Sequence, residues 1–337
     1  SRKKLHYEPT GNAKKIVVPN LSPFEAINMI AKKSVADKSK GVGYYFYETT
    51  GGYYFRSWQS MITNQGEFAR PPRQQFYYQP LKMSSDGNAT KQDKIEREFE
   101  SVEEYEFVTN FHDVASNTIL GTYGHRVISH DLFNKSYDIA DYNFHNEYRR
   151  TPHTDTVKDA KNKFPISNTP VDYDNRDNVS NYAESRVSLQ TTAPFLHDKD
   201  VGKYGLEPLQ DGLKTGQAVS QSNQVAHGTA LLLTVKGQSY LQAGDLITFN
   251  LADVNSANTE NPNDPRFSGN YIITKIRHHV TKDQYRMILE CAKDSVATSY
   301  GELGDGYNGA DAGFAMNIHT ANKSELELEE IDSDIGY

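Results

Sequence analysis

Histidines and carboxylates recur in short groups that could carry chemistry: His112-Asp113, His125, His130-Asp131 and the doublet His278-His279. A zinc centre or a hydrolase would need such side chains to converge. None has the two-histidine spacing of a metalloprotease helix, the only cysteine is Cys291, and neighbours on a strand point to opposite faces. Scattered surface and sheet histidines are expected. The doublets Glu103-Glu104 and Glu329-Glu330 invite an acid–base or glycosidase reading, but a working pair flanks a cleft at a set separation in unlike environments. Adjacency supplies neither, so these are read as solvated charged faces. Asp305, Asn308 and Asp311 in GELGDGYNGADAG lack the spacing and the closing glutamate of a calcium loop. That stretch reads as a linker. No glycine-rich phosphate loop, dinucleotide fingerprint or nucleophile elbow occurs, and no residue is assigned a catalytic, cofactor-binding or metal role.

The stretch GYYFYETTGGYYFRSW, residues 43–58, holds Tyr44, Tyr45, Phe46, Tyr47, Tyr53, Tyr54, Phe55 and Trp58. Exposed rings could stack on bases or sugars. An RNA-recognition sheet needs its aromatics on two central strands amid basic residues, whereas the pattern here is a helix, a hairpin and a long loop. Packing in a core or between subunits is favoured.

Those residues must be placed by elements. In NLSPFEAINMIAKKSVA, Ser22 stands as N-cap, Pro23 at the first helical position and Glu25 completes a capping box. Phe24, Ile27, Ile30, Ala31 and Val35 then share one side of a helix. Tyr44–Glu48 and Tyr53–Trp58 around Thr49-Thr50-Gly51-Gly52 predict a β-hairpin. Alternation puts Tyr44 and Phe46 opposite Tyr45 and Tyr47, so both faces are aromatic and the second must be covered by another element or subunit. Ile16-Val17-Val18 suits an edge strand, Phe76-Tyr77-Tyr78 a strand, residues 95–121 a helix, and Arg126–His130 and Tyr137–Tyr148 two strands. A further helix is expected within 205–228, weakened by Gly212 and Gly216. Four runs follow, Thr229–Lys236, Asp245–Leu251, Tyr271–Val280 and Gln284–Ala292, which suggest a small antiparallel barrel or sandwich. The fold class is therefore α+β: a helix-plus-hairpin domain joined to a small antiparallel β-barrel, with long polar loops.

Bulk composition narrows the function classes. The 337 residues carry a formal net charge of -8, which disfavours general nucleic-acid binding driven by counterion release. Abundant Tyr and Phe argue for folded domains. Cys291 has no intrachain partner and lies in an apolar run, the setting of a small buried hydrophobe. No stretch approaches the roughly 18 apolar residues of a membrane span. The chain begins with Ser1, not methionine, which fits a processed chain or the later part of a longer one.

Taken in order, PNLSPFEAINMIAKKSV, GYYFYETTGGYYFRSWQSM, GTYGHRVISHDLFNKSYDIADYNFHNEY, LQAGDLITFNL and FSGNYIITKIRHHVTKDQYRMILECAKDS resemble the central hub protein of contractile-tailed bacteriophage baseplates. The resemblance covers about residues 16–150 and 186–297 and rests on the succession of elements. It implies a non-enzymatic homotrimer with two related β-barrels and a helix-containing domain per subunit. Such a hub joins a hexameric tail tube to a trimeric spike, contacts baseplate wedge proteins, and passes DNA through its lumen in transit. The corresponding location is the virion, in the tail baseplate, with assembly in the host cytoplasm. The domain division is then 1–20 as the possible end of a missing first barrel, 21–150 as the α+β hub domain, 151–185 as an extended connection, 186–297 as the barrel with its preceding helix, and 298–337 as a glycine-rich linker and acidic tail. The chain departs from the family in having only about twenty residues before the SPFEAINMIA helix, where a complete first barrel is expected, which fits either a barrel missing because the chain begins late or a reduced hub. The competing readings are a carbohydrate-binding or carbohydrate-degrading tail component and a single-strand nucleic-acid binder using the hairpin.

Overall fold

A computed structural model describes residues 3–11, 16–37, 41–62, 71–78, 97–108, 114–131, 135–148, 151–155, 179–192, 208–226, 229–252, 263–264 and 267–295. The first part of the chain forms strand β1 (Leu5–Tyr7), helix α1 (Pro23–Ala31), strands β2 (Tyr44–Thr49) and β3 (Gly52–Ser57), and helix α2 (Trp58–Ile62). Strands β4 (Gln74–Tyr78) and β5 (Val102–Val108) precede helix α3 (Val114–Ile119). Next come β6 (Gly124–Asp131), β7 (Ser136–Asn143), helix α4 (Phe144–Tyr148), two short 3-10 turns, and β8 (Val187–Thr192). Helix α5 (Pro208–Ala226) leads into β9 (Thr229–Lys236), β10 (Leu246–Leu251), β11 (Gly269–Val280) and β12 (Tyr285–Lys293).

These strands make three sheets: β1-β3-β2, β7-β6-β8, and a six-stranded sheet of order β4-β10-β11-β12-β9-β5. The protein is α+β and mostly sheet. The largest sheet is curled: its edge strands approach at the bridge between Tyr77 and Ser101, and the rings of Tyr78 and Tyr105 meet at 4.4 Å. Inside the curl, alternate residues of β9 to β12 are fully buried, including Leu231, Leu233, Val235, Phe249, Tyr271, Ile273, Met287, Leu289 and Cys291. That period-two pattern is how a strand turns one face to a core. The expected four-strand antiparallel barrel is thus corrected. The four predicted strands are present, but β4 and β5, from residues 74–108, extend the sheet on both sides, and β4 runs parallel to β10. Among the described residues no helix is long and apolar enough to cross a membrane.

The capping signal of α1 is realised: the Ser22 N–H and Oγ donate to Glu25 Oε2 at 2.9 and 2.7 Å. The helix stops at Ala31, short of the expected Val35, and Val35 and Ala36 are instead buried beyond a turn. Ile16-Val17-Val18 is not a strand, and Val17 lies open to solvent. The free side of β3 is taken by Leu5–Tyr7, which pairs with it in parallel. The helix expected over 95–121 is also corrected, since Val102–Val108 is a strand hydrogen-bonded to β9, and among the described residues only 97–100 and Val114–Ile119 are helical. Spacings of two and three both fit Val102, Tyr105, Phe107 and Val108, and pairing with an apolar neighbour strand decided for two. The second predicted strand ends at Asn143 rather than Tyr148. There the Asn143 side chain accepts the Asn146 N–H at 3.1 Å and caps α4.

Helix α5 sits against the inner face of β7-β6-β8. Its glycines allow this approach: a Cβ on Gly216 would lie 2.0 Å from His125 Nε2, and one on Gly212 would lie 2.7 Å from Val127. The same helix supplies Ala218 to a cluster with Val35 and Val42, and Ser222 to a hydrogen bond with the Tyr45 hydroxyl at 3.3 Å.

Candidate functional site

The structure disperses most of the residues first weighed for chemistry. His112-Asp113, Asp305, Asn308, Asp311 and Glu329-Glu330 lie outside the described residues. His125 is buried under α5, its Nδ1 facing the Gly121 carbonyl at 3.3 Å and its ring stacked on Tyr142 at 4.6 Å. His130 pairs across the strand with Tyr137. Glu103 forms an ion pair with Arg286 at 2.8 Å. His278 and His279 are exposed, and His278 Nδ1 lies 2.9 Å from the Tyr285 hydroxyl. Among the described residues no group of three or more His, Cys, Asp or Glu is placed to hold a metal ion.

The aromatic hairpin is covered on both sides by its own chain. On one face, Phe46 and Tyr53 stack at 5.9 Å, Phe24 of α1 rests on Phe46, and Tyr44 and Phe55 pack with Ala31. On the other, Tyr45 and Tyr47 join Trp58, Met61 and Ile62 against Leu246 and Ile272 of the curled sheet. His6, Tyr54 and Tyr47 form a stack with centroids 4.9 and 5.3 Å apart. Trp58 is 3% and Tyr54 9% exposed, so neither offers a face to a base or a sugar. The second face thus needs no other subunit to cover it.

A buried polar cluster gathers where sequence reasoning placed only an extended connection. Residues 151–155 run beside the end of β12. His153 Nδ1 lies 2.8 Å from Asp294 Oδ2, and its Nε2 is 2.8 Å from the Tyr148 carbonyl. Asp294 Oδ1 accepts from the Thr154 N–H at 3.0 Å and the Thr154 hydroxyl at 2.9 Å. Burial pushes the Asp294 carboxyl up, but His153 and the Thr154 donors overcome it and hold the group down at about 2. Beside it, the Asp155 N–H donates to Ser295 Oγ at 2.9 Å and Asp155 Oδ1 accepts from the Asn270 N–H at 2.8 Å. The His153–Asp294 pair has the form of the orienting half of a hydrolase triad. The position beside Nε2 is shared by the Tyr148 carbonyl at 2.8 Å and the Thr151 hydroxyl at 3.3 Å, which is also within reach of that carbonyl at 3.2 Å, and Ser295 is hydrogen-bonded to Thr154 and Asp155 instead. The arrangement is a clasp, fastening 151–155 to the curled sheet.

Two tail proteins of solved structure, one of them from a prophage, are similar to this chain. One is the tail protein from Neisseria meningitidis MC58, with a TM-score of 0.36 and 10% identity over 86% of this chain and 61% of that one. The other is the 43 kDa tail protein of prophage MuSo2 from Shewanella oneidensis, with a TM-score of 0.39 and 9% identity over 87% of this chain and 59% of that one. The chain spans about three fifths of the length of these solved structures. No protein-family profile matches the sequence, and no curated protein matches it.

The clasp had one legible signal. Met287, Leu289, Cys291 and Lys293 share a parity on β12, so the lysine falls on the inward side of a strand. A lysine there requires a buried partner. Nothing in the Asp-, Asn- and Thr-rich connection indicates which of its carboxylates that partner would be.

Proposed function

We propose that the chain is a structural, non-enzymatic component of a contractile phage tail that works by adhesion to other proteins, in the manner of a baseplate central hub. The observation that carries the adhesive role is the outer face of β7-β6-β8. Tyr137, Ile139, Val187 and Leu189 are 66%, 51%, 52% and 64% exposed, and Ile139, Ile128 and Leu189 make a continuous cross-strand row. The opposite face of that sheet is filled by α5. Contiguous apolar surface of this kind marks protein contact sites. A polar border fixes its register: Arg126 clamps Asp141 through Nε at 2.7 Å and Nη2 at 2.9 Å, and reaches Glu184 at 2.7 Å. The tail and hub assignment is supported by the ordered run of motifs from the capped helix to the β11–β12 hairpin. On this reading the partners are further copies of the chain in a homotrimer, tail tube proteins, the central spike and wedge proteins, with DNA only in transit. The buried Trp58 and Tyr54 weigh against the carbohydrate and single-strand readings.

Light scattering on the purified chain tests the adhesive role. The wild type is expected to assemble, most simply as a trimer, and the pair Ile139→Lys with Leu189→Glu to abolish assembly with an unchanged circular dichroism spectrum. A wild type that stays monomeric up to the highest soluble concentration, with no binding to tail tube or spike proteins, would refute the proposal.

A further inference from the structure

Lys293 and Asp155 meet in a buried part of the clasp. The lysine side chain is fully buried, its Nζ 4.9 Å from the centroid of the Tyr271 ring and donating to the Ser268 carbonyl at 3.1 Å. Asp155 Oδ2 lies 3.8 Å from that nitrogen and, among the described residues, has no hydrogen-bond partner. The other oxygen, Oδ1, is held by the Asn270 N–H. Gly269 makes room for the carboxyl: its φ is +131, and a Cβ there would stand 2.4 Å from Asp155 Oδ2. The Ser295 and Asn270 contacts fix the acid, and the β12 ladder fixes the amine.

We propose that Lys293 and Asp155 condense into an intramolecular isopeptide bond. The Nζ lone pair attacks Cγ of the protonated carboxyl, the Nζ–Cγ bond forms, and the Cγ–Oδ2 bond breaks. Oδ2 departs as hydroxide and takes one amine proton, so the by-product is one water and no oxidant or external reactant is needed. The site favours this step in three ways. Burial disfavours both charged forms, pushing Asp155 up to about 6 and Lys293 down to about 8, although the Asp264 and Asp294 carboxylates and Asp155 itself act to keep the lysine charged. Charge developing on Oδ1 meets the Asn270 N–H, as in an oxyanion hole. Amine and acid are held near contact distance, which removes the entropic cost of a bimolecular encounter.

Intact-mass measurement on the denatured full-length chain tests this, taken at purification and after prolonged incubation near neutral pH. The expected mass is one water below that of the sequence, and a tryptic digest yields a branched peptide joining Lys293 to Asp155. Lys293→Arg and Asp155→Ala each restore the full mass. Asp155→Asn gives the same branched peptide with loss of ammonia from the side-chain amide. A wild-type mass equal to the sequence mass after incubation, with linear peptides covering both residues, overturns the proposal, as does a water loss mapped elsewhere. The wild-type mass and peptide map suffice for either outcome, so a variant that fails to fold does not blunt the test.

Discussion

Single residues set the distance between layers. Gly216 lets α5 lie on His125, and any Cβ there would collide with the ring. Gly216→Ala should therefore destabilise the fold by about 1–3 kcal/mol, the usual cost of overpacking, even though alanine is the better helix former. Denaturant melts of the two proteins check the sign. Burial lowers the His125 imidazole below its ordinary range, opposed by the Gly121 carbonyl and reinforced by Arg186. A depressed folded pKa means stability that is present above the unfolded value and lost as pH falls through the folded one. Melts from pH 7 downward should thus show a loss that His125→Phe removes. Asp294 acts lower on the scale: its carboxyl sits at about 2 against an ordinary 3.8, worth about 2 kcal/mol at neutral pH and lost between roughly pH 4 and 2. Before it condenses with Lys293, Asp155 has the opposite sign. With its value raised to about 6, its contribution is present below about pH 4 and fades as pH rises through 6. A difference titration of Asp294→Asn against wild type should isolate the acid limb.

At the scale of elements, the hairpin and α2 form a wedge between α1 and the curled sheet. Trp58 is the only tryptophan in the chain and is almost fully buried, which makes the wedge observable. Its emission should be blue-shifted, poorly quenched by iodide, and indifferent to oligosaccharides and single-stranded oligonucleotides. Trp58→Ala should cost about 3–5 kcal/mol, the range for deleting a large core aromatic. Quenching by a sugar or an oligonucleotide would show that the rings open to ligands after all. Elements with a local code were legible in advance. The Ser22–Glu25 box, the Thr49–Gly52 turn and the alternation of β9 to β12 each appear where local chemistry demands. Elements decided by a distant partner were not. Val102–Val108 became a strand because β9 offered it an edge, and Leu5–Tyr7 became one because β3 did. The clasp was hidden for the same reason, since His153 and Asp294 stand 141 positions apart.

At the scale of the molecule, the curled sheet is assembled from segments far apart in sequence, and this fixes what can fold alone. Residues 186–297 read as a unit from their own four strands. Yet Phe76 of β4 and Val102 of β5 are part of the same buried core as Leu231, Ile247 and Met287. Removing the flanking strands would uncover the hydrogen-bonding edges of β10 and β9, and unpaired edges beside apolar residues recruit other chains. A fragment spanning 186–297 should therefore express as aggregate or as soluble oligomers with loose near-ultraviolet circular dichroism. Adding residues 71–108 by coexpression or through a linker should restore a cooperative melt, because it returns Phe76, Val102 and both missing edges together. A cooperatively folding, monomeric 186–297 fragment would mean that β4 and β5 are late additions to a sheet that closes without them. The clasp and the wedge of Trp58, Met61 and Ile62 on Leu246 and Ile272 would then remain as ties between that sheet and the rest of the chain.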